Sequence, residues 1–162
     1  MSASPAVGVS VLVFDRRGRV LLVRRGRPPA EGLWHPPGGR LEAGESLLQA
    51  VHRELREETG ICGVRLGPIV AVVERRLDGF HYLIVDFLGF LDHLDPPLPK
   101  AGDDALEARW IDPEEWSAYE LGDGLWPILV RAQRLHRGGV GGLVDVDGRG
   151  ADFVAKVWKE GR

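Results

Sequence analysis

The segment from Ser46 to Gly60, SLLQAVHRELREETG, constrains this chain more than any other. Ser46 followed by Gln49 is a capping box, in which each side chain satisfies a backbone N–H of the first helical turn. Gly60 supplies a residue that ends a helix in the left-handed conformation at no steric cost. A helix is therefore expected over residues 46–59. At about 100° per residue, Leu47, Leu48, Val51 and Leu55 share one flank, so the helix packs against something. Its far end is odd. Glu54, Glu57 and Glu58 gather where the helix dipole already carries negative charge, and Glu54 and Glu58 repel each other at i, i+4. They lie at the margin of the apolar flank, not opposite it. Acids on the far side would be a solvated stripe. Acids beside a core need a positive partner, and a hard divalent cation such as Mg2+, which takes oxygen ligands and keeps several waters, answers that need.

The rest of the chain supplies strands for this helix to cover. Residues 6–14, AVGVSVLVF, read as a buried strand, and RVLLVRR (19–25) as a second, joined to it by the turn Asp15-Arg16-Arg17-Gly18 in a hairpin. The stretch 26–39, rich in Pro and Gly, reads as an ordered loop. Val64–Glu74 and His81–Leu91 are expected as longer strands and Ala108–Ile111 as a short one. Asp112-Pro113-Glu114-Glu115 has the N-cap, the proline at N1 and the acidic first turn of a helix start. A last long helix is expected from about Leu125 to Arg137. Strands interleaved with few helices imply a mixed sheet covered on both faces. Residues 1–137 are read as one domain. The glycine-rich stretch 138–162 is read as a tail, either a docked helix, an extra hairpin or an oligomer contact, with Phe153, Val154, Val157 and Trp158 grouped at helical spacing.

With 162 residues, one domain with a sizeable core is expected. The net charge of −3 argues against a polynucleotide partner, which usually needs a basic face. A small phosphorylated ligand remains open, because a local arrangement of charge can hold it. The run Ala6–Phe14 is too short to span a bilayer, and MSASPAV before it lacks the basic start of a secretory leader. Cys62, the single cysteine, rules out an internal disulfide. A cytoplasmic location fits these features, and Cys62 is expected to pack beside a strand.

The spacing around the acids carries the sharpest information. Gly39, five residues, Glu45, seven residues, Arg53-Glu54-Leu55, one residue, Glu57-Glu58, one residue and Gly60-Ile61 meet nine fixed positions without departure. This resembles the signature of the Nudix hydrolases. The resemblance implies an α/β fold of the Nudix type, an α/β/α sandwich around a mixed β-sheet. It implies hydrolysis of a nucleoside diphosphate linked to another group, with Mg2+ or Mn2+ as cofactor. By the same pattern Glu54, Glu57 and Glu58 match metal-binding and base positions. Gly39 matches a residue whose carbonyl contacts metal, Arg53 one that orients a catalytic carboxylate, and Glu45 its usual partner. Which carboxylate is the base stays open.

Other residues are candidates by type and position. Asp104, with Glu107 and Asp103 behind it, could add a loop acid as ligand or base. Arg24 and Arg25, with Arg27 nearby, have the donor fork that suits phosphate. Trp34 is a base-stacking surface or a residue packed under the loop. His35 is expected to be structural and Tyr82 to belong to the core. Asp123 is a base reader or the N-cap of the last helix. The strand around residues 80–91 and the segment 101–110 resemble family members acting on ADP-ribose, the favoured substrate class alongside nucleotide sugars. The stretch 123–127 resembles members acting on nucleoside triphosphates, oxidised ones included, to give monophosphate and pyrophosphate. A nucleotide-sensing module without catalysis is the remaining alternative. The expected assembly is a monomer or a homodimer.

Overall fold

The computed structural model describes residues 4–102, 104–145, 148–150 and 152–155. Its elements are β1 (Ala6–Asp15), β2 (Val20–Arg25), β3 (Trp34–His35), β4 (Gly38–Arg40), α1 (Leu47–Thr59), β5 (Arg65–Leu77), β6 (Phe80–Leu91), β7 (Ala105–Ile111), a 3-10 helix (Pro113–Ala118), α2 (Leu125–His136), β8 (Leu143–Asp145) and β9 (Phe153–Ala155). The described strands form one sheet in the order β3-β2-β1-β6-β5-β8-β9, with β4 also paired to β1 and β7 to β2.

β1 is the axis of the sheet. It runs parallel to β6 from Ala6↔Tyr82 to Asp15↔Leu91, while the other pairings are antiparallel. A strand buried on both faces reads as a continuous apolar run, not an alternating one, which is why 6–14 has so few polar residues. Val9, Val11 and Val13 enter a core with Val51, Leu55 and Phe87 beneath α1. Leu12 and Phe14 enter a second core with Leu88, Leu125 and Leu129 beneath α2. The sheet is thus mixed and covered on both faces, as an α/β/α sandwich requires.

α1 forms as its ends dictate. Ser46 and Gln49 complete both bonds of the capping box, and Gly60 sits in the left-handed region at φ 71°. The β1–β2 turn is held from within. The buried Asp15 accepts the Arg19 backbone N–H at 2.9 Å and Arg19 Nε at 2.7 Å.

Several expectations change in detail. The β1–β2 hairpin pairs only at Phe14↔Val20, and β2 spends its length on β7, from Val20↔Ile111 to Arg25↔Ala105. β7 is accordingly longer than the four residues expected, because β2 offers it a full partner edge. The loop 26–39 contains β3 and the start of β4. The helix start at Asp112 gives one 3-10 segment with no side-chain cap. In the C-terminal stretch, β8 joins β5 at Ile69↔Leu143 and β9 pairs back on β8. Phe153 meets Phe87 edge-on, ring centroids 5.5 Å apart, so this hairpin closes the α1-side core. Val157 and Trp158 lie outside the described residues.

Candidate active site

Arg53 organises the acidic end of α1. Its Nε donates to Glu45 Oε2 at 2.8 Å and its Nη2 to Glu45 Oε1 at 2.7 Å, a two-point pair. Nη2 also donates to the Arg40 carbonyl at 3.0 Å, and Nη1 to Glu54 Oε1 at 2.7 Å and Glu57 Oε2 at 3.3 Å. One guanidinium therefore ties helix α1 to β4 and to the loop that follows β4. Only the planar fork of Arg can make so many bonds at once. The Arg53 bonds, with the Glu42 backbone N–H, hold the Glu45 carboxyl down at about 2. Its bonds to Glu45, then its bond to Glu54, raise Arg53 above its ordinary value against the opposing effect of burial.

Two glycines let the sheet approach this cluster. A Cβ on Gly38 would fall onto the Val9 carbonyl and the Ser10 backbone, and one on Gly39 onto the Glu54 carboxylate. At Gly38 no other residue fits without moving β1, and at Gly39 any side chain would displace the Glu54 carboxylate. Gly39 therefore presents its backbone directly against Glu54.

A polar cavity opens here, lined by Glu54, Glu58, Asp104, Arg25, Gly38, Gly39 and Arg40 among others. Glu58 accepts from the Gly38 N–H at 3.3 Å. Burial first, then the neighbouring charge of Glu54, pushes its carboxyl up to about 8; Asp104 adds to the rise, while Gly38 and Arg25 oppose it. Asp104 reaches this place because its loop is tied to the helix: the N–H of Lys100 donates to the Thr59 carbonyl and that of Gly102 to the Glu58 carbonyl, both at 2.9 Å. Asp104 also pairs with Arg27 at 3.0 Å. Glu57 is half exposed, outside the lining, and turned to Arg53. Asp103 lies outside the described residues.

These residues fit a divalent cation. The donors are all oxygen, and Glu54, Glu58 and Asp104 line one cavity; Arg53 pairs with Glu54 and Arg27 with Asp104, while Glu58 has no ion pair among the described residues. No group of three His, Cys, Asp or Glu side chains converges as a finished ligand set among the described residues. An open arrangement of this kind suits an ion that keeps water in its shell.

A second cavity adjoins the first and shares Arg25, Gly38, Gly39 and Arg40 with it. Ser10 and Asp86, paired in register on β1 and β6, line it. Val73, Leu77, Phe80, Tyr82 and Ile84 line it too, with His35, Arg75 and Asp123. Ser10 Oγ donates to Asp86 Oδ1. Burial pushes the Asp86 carboxyl up to about 6, against Ser10 and Arg75. Burial, with Arg25 and Arg75 nearby, pushes His35 down to about 4, against Asp123.

Several candidates find other places. Trp34 is 7% exposed, packed edge-on against Tyr119 in the α2-side core, and lines neither cavity. It is a core residue rather than a stacking surface, because β3 turns its ring beneath the loop. Arg24 donates to the Gly32 carbonyl and to Glu107, away from both cavities. Glu107 is further engaged by Arg109. Asp123 does not cap α2, whose N-cap is Gly124 in the left-handed region with no side-chain bond; its carboxylate belongs to the second cavity. Tyr82, expected in the core, lines that cavity against Phe80. Cys62 is exposed, since Gly63 bends the chain before β5 begins. Asp86 was not singled out from the sequence, although an acid inside the apolar run LIVDFL was its visible signal.

The family model for the NUDIX domain matches residues 4–132. Over 108 residues the chain is 33% identical to an ADP-ribose pyrophosphatase of Methanocaldococcus jannaschii, covering 67% of this chain and 62% of that protein. Over 132 residues it is 33% identical to the CTP pyrophosphohydrolase of Escherichia coli, covering 76% of this chain and 88% of that protein. The crystal structure of a MutT protein from Methanosarcina mazei superposes with a TM-score of 0.70 at 26% identity, over 85% of this chain and 99% of that one. The chain thus spans just under two thirds of the first of these relatives and most of the second.

Proposed function

The chain belongs to the Nudix family, and on that premise we propose that it is a pyrophosphohydrolase of nucleoside diphosphate derivatives whose preferred substrate is ADP-ribose or a related nucleotide sugar, split to a nucleoside monophosphate and a sugar phosphate. The observation that supports this reading is the junction of the two cavities along Gly38–Arg40. A diphosphate at the junction has its nucleoside on one side and the acids on the other.

In this reading Glu54, Glu57 and Glu58, with the backbone of Gly39, would hold Mg2+ or Mn2+, and Glu57 would have to leave its pair with Arg53 to do so. The ion, when bound, neutralises phosphate oxygens and acidifies a water. Arg25, which lines both cavities and whose side chain donates to the Pro29 carbonyl at 2.7 Å, binds the diphosphate. Arg53 keeps Glu54 oriented, and Glu45 keeps Arg53 oriented. Asp104, at the cavity and off the helix, is the carboxylate assigned to receive the proton of the attacking water. The water oxygen joins one phosphorus, the bridging P–O bond breaks, and the second phosphate leaves with its sugar. A pyrophosphate resists attack because its oxygens repel the nucleophile, so neutralising charge at the junction is the main task of this site.

A second reading is the cleavage of a nucleoside triphosphate to monophosphate and pyrophosphate. The carboxylate of Asp123 in the nucleoside cavity and the likeness to the E. coli CTP pyrophosphohydrolase favour it. Product identification with Mg2+ separates the two. A higher kcat/KM for ADP-ribose than for any triphosphate, with AMP and ribose 5-phosphate as products, supports the first. The reverse order establishes the second.

A further inference from the structure

Asp86 is a buried acid to which nothing in the hydrolytic chemistry gives a task. It is 4% exposed and stands on β6 in the middle of an apolar run. Only one of its oxygens is satisfied: Ser10 Oγ donates to Oδ1, and Oδ2 receives no hydrogen bond from the described residues. Oδ2 is not among the buried side-chain atoms that lack a partner, so it opens onto the cavity, where water or a ligand can complete it. Asp86 lines the nucleoside cavity, so that partner can come from the cavity. Around it the walls are mainly apolar: Ile84, Val73, Leu125 and Ile128, with the stacked pair Phe80 and Tyr82. Such walls hold a flat ring without discriminating between rings. A single polar group among them fixes orientation and identity.

We propose that Asp86, positioned by Ser10, is a specificity-determining residue that selects nucleobases carrying an exocyclic amino group over their keto counterparts. The inference rests on the reading of this cavity as the nucleoside subsite. Asp86 Oδ2 accepts an N–H of the amino group of adenine or cytosine. Hypoxanthine and uracil place a carbonyl oxygen there instead, lone pair against lone pair. Ser10 cannot relieve the clash, because its only hydroxyl hydrogen is directed to Oδ1. Arg25, Arg40 and Arg75 are the cations lining the cavity, and Asp123 and His35 its other titratable groups besides Tyr82. Of these, Arg75 acts electrostatically on Asp86 but forms no hydrogen bond with it, and its guanidinium bonds the Glu74 carbonyl at 3.1 Å. Among the acids of this lining, Asp86 is the one set within the apolar walls of β6, with Ile84 beside it on the same strand, whereas Asp123 comes from the loop before α2.

The test uses matched pairs in which a keto group and its adjacent ring N–H replace the amino group and its ring nitrogen acceptor: ADP-ribose with inosine diphosphate ribose, and CTP with UTP. The full chain is assayed with Mg2+ at pH 7.5. The expected result is a kcat/KM higher by about 10–100-fold for the amino member of whichever pair is cleaved, carried mainly by KM, since a hydrogen bond to a charged group contributes that much. In Asp86→Asn the amide oxygen can keep the Ser10 bond and the NH2 group then faces the ring, so the ratio should fall to about 1 or reverse. A merely structural Asp86 would slow both members alike and leave the ratio unchanged. Ser10→Ala frees the carboxyl to turn and should weaken the preference without reversing it. Brisk wild-type cleavage with a ratio within about 2-fold overturns the assignment of Asp86 while leaving the hydrolase reading intact. A ratio that survives Asp86→Asn overturns it as well. If the wild type cleaves neither pair, the nucleoside-subsite reading itself fails and takes the inference with it.

Discussion

Asp86 also makes a stability prediction that needs no ligand. Its carboxyl is raised from an ordinary 3.8 to about 6 by burial. Below 3.8 the group is protonated both folded and unfolded. Between 3.8 and about 6 the folded chain holds the proton and the unfolded chain releases it, so stability falls as pH rises through that window. A shift of about two pH units corresponds to about 3 kcal/mol lost by pH 7, at about 1.4 kcal/mol per unit. Asn at this position is neutral at every pH and can still accept from Ser10. Asp86→Asn should therefore gain stability relative to wild type as pH rises from 4 to 7.5, by up to about 3 kcal/mol. The unpaired Asn NH2 offsets about 1 kcal/mol of this at every pH. His35 has the opposite slope: held down to about 4, it destabilises the fold as pH drops from 6.5 towards 4. That term is common to both proteins and cancels in the difference. Urea unfolding of metal-free protein at pH 4 and pH 7.5 measures it. A difference between variant and wild type that is the same at both pH values would refute the claim that Asp86 is ionised at a cost.

Arg53→Lys should lower kcat with little change in KM, because an ammonium cannot hold Glu45, Glu54 and the Arg40 carbonyl together; a loss confined to KM in steady-state kinetics would mean Arg53 binds phosphate. Glu58→Gln should lower kcat by at least about 100-fold, the scale of several kcal/mol of lost charge stabilisation, while far-UV circular dichroism stays native; a wild-type rate at saturating Mg2+ would remove Glu58 from the metal set. Asp104→Asn should reduce kcat through loss of the base, whereas Asp104→Glu should restore part of it; equal small effects in both would leave Asp104 only its ion pair with Arg27. Trp34→Ala should cost about 3–5 kcal/mol in chemical denaturation, the range for a buried aromatic, and leave KM unchanged in whatever protein remains folded.

Legibility from sequence followed the range of the interactions involved. α1 was readable to the residue because its limits are set by local bonds: Ser46 with Gln49, and the conformational freedom of Gly60. The burial of β1 on both faces was readable from its unbroken apolar run. Trp34, Arg24 and Asp123 were different. A tryptophan before a proline-rich loop looks the same whether it faces outward or inward. What turned it inward was Tyr119, 85 positions away. Arg24 was claimed by Glu107 across the β2–β7 pairing, a register that no local pattern announces. The pairing of Ser10 with Asp86 has the same origin. Parallel strands joined by a long crossover put 76 positions between partners, and only the fold brings them side by side.

The negative charge that made α1 look strained is compensated in three ways that need no metal ion, and one acid is left over. Arg53 takes up charge from Glu54 and Glu57 and is itself anchored by Glu45. The loop after β6 turns back so that the N–H groups of Lys100 and Gly102 bond the carbonyls of Thr59 and Glu58, which removes part of the negative end of the helix dipole. Arg56 stands in the last turn with the sign the dipole favours. What is left uncompensated is Glu58, buried beside Glu54 and near Asp104, with one long bond from Gly38 and the more distant charge of Arg25. The fold has paired Glu54 and Glu57 with Arg53 and left Glu58 in the cavity to attract a proton or a metal. Glu58 is the carboxylate pushed up to about 8, so without a cation it binds a proton near neutrality. A divalent ion entering the cavity displaces that proton. Metal binding at pH 7 should therefore release about one proton per site, and calorimetric titrations of Mg2+ or Mn2+ in buffers of different ionisation enthalpy should give different apparent enthalpies. Identical enthalpies across buffers would mean that Glu58 is already ionised, and that Arg25 and Gly38 compensate it more fully than their distances imply.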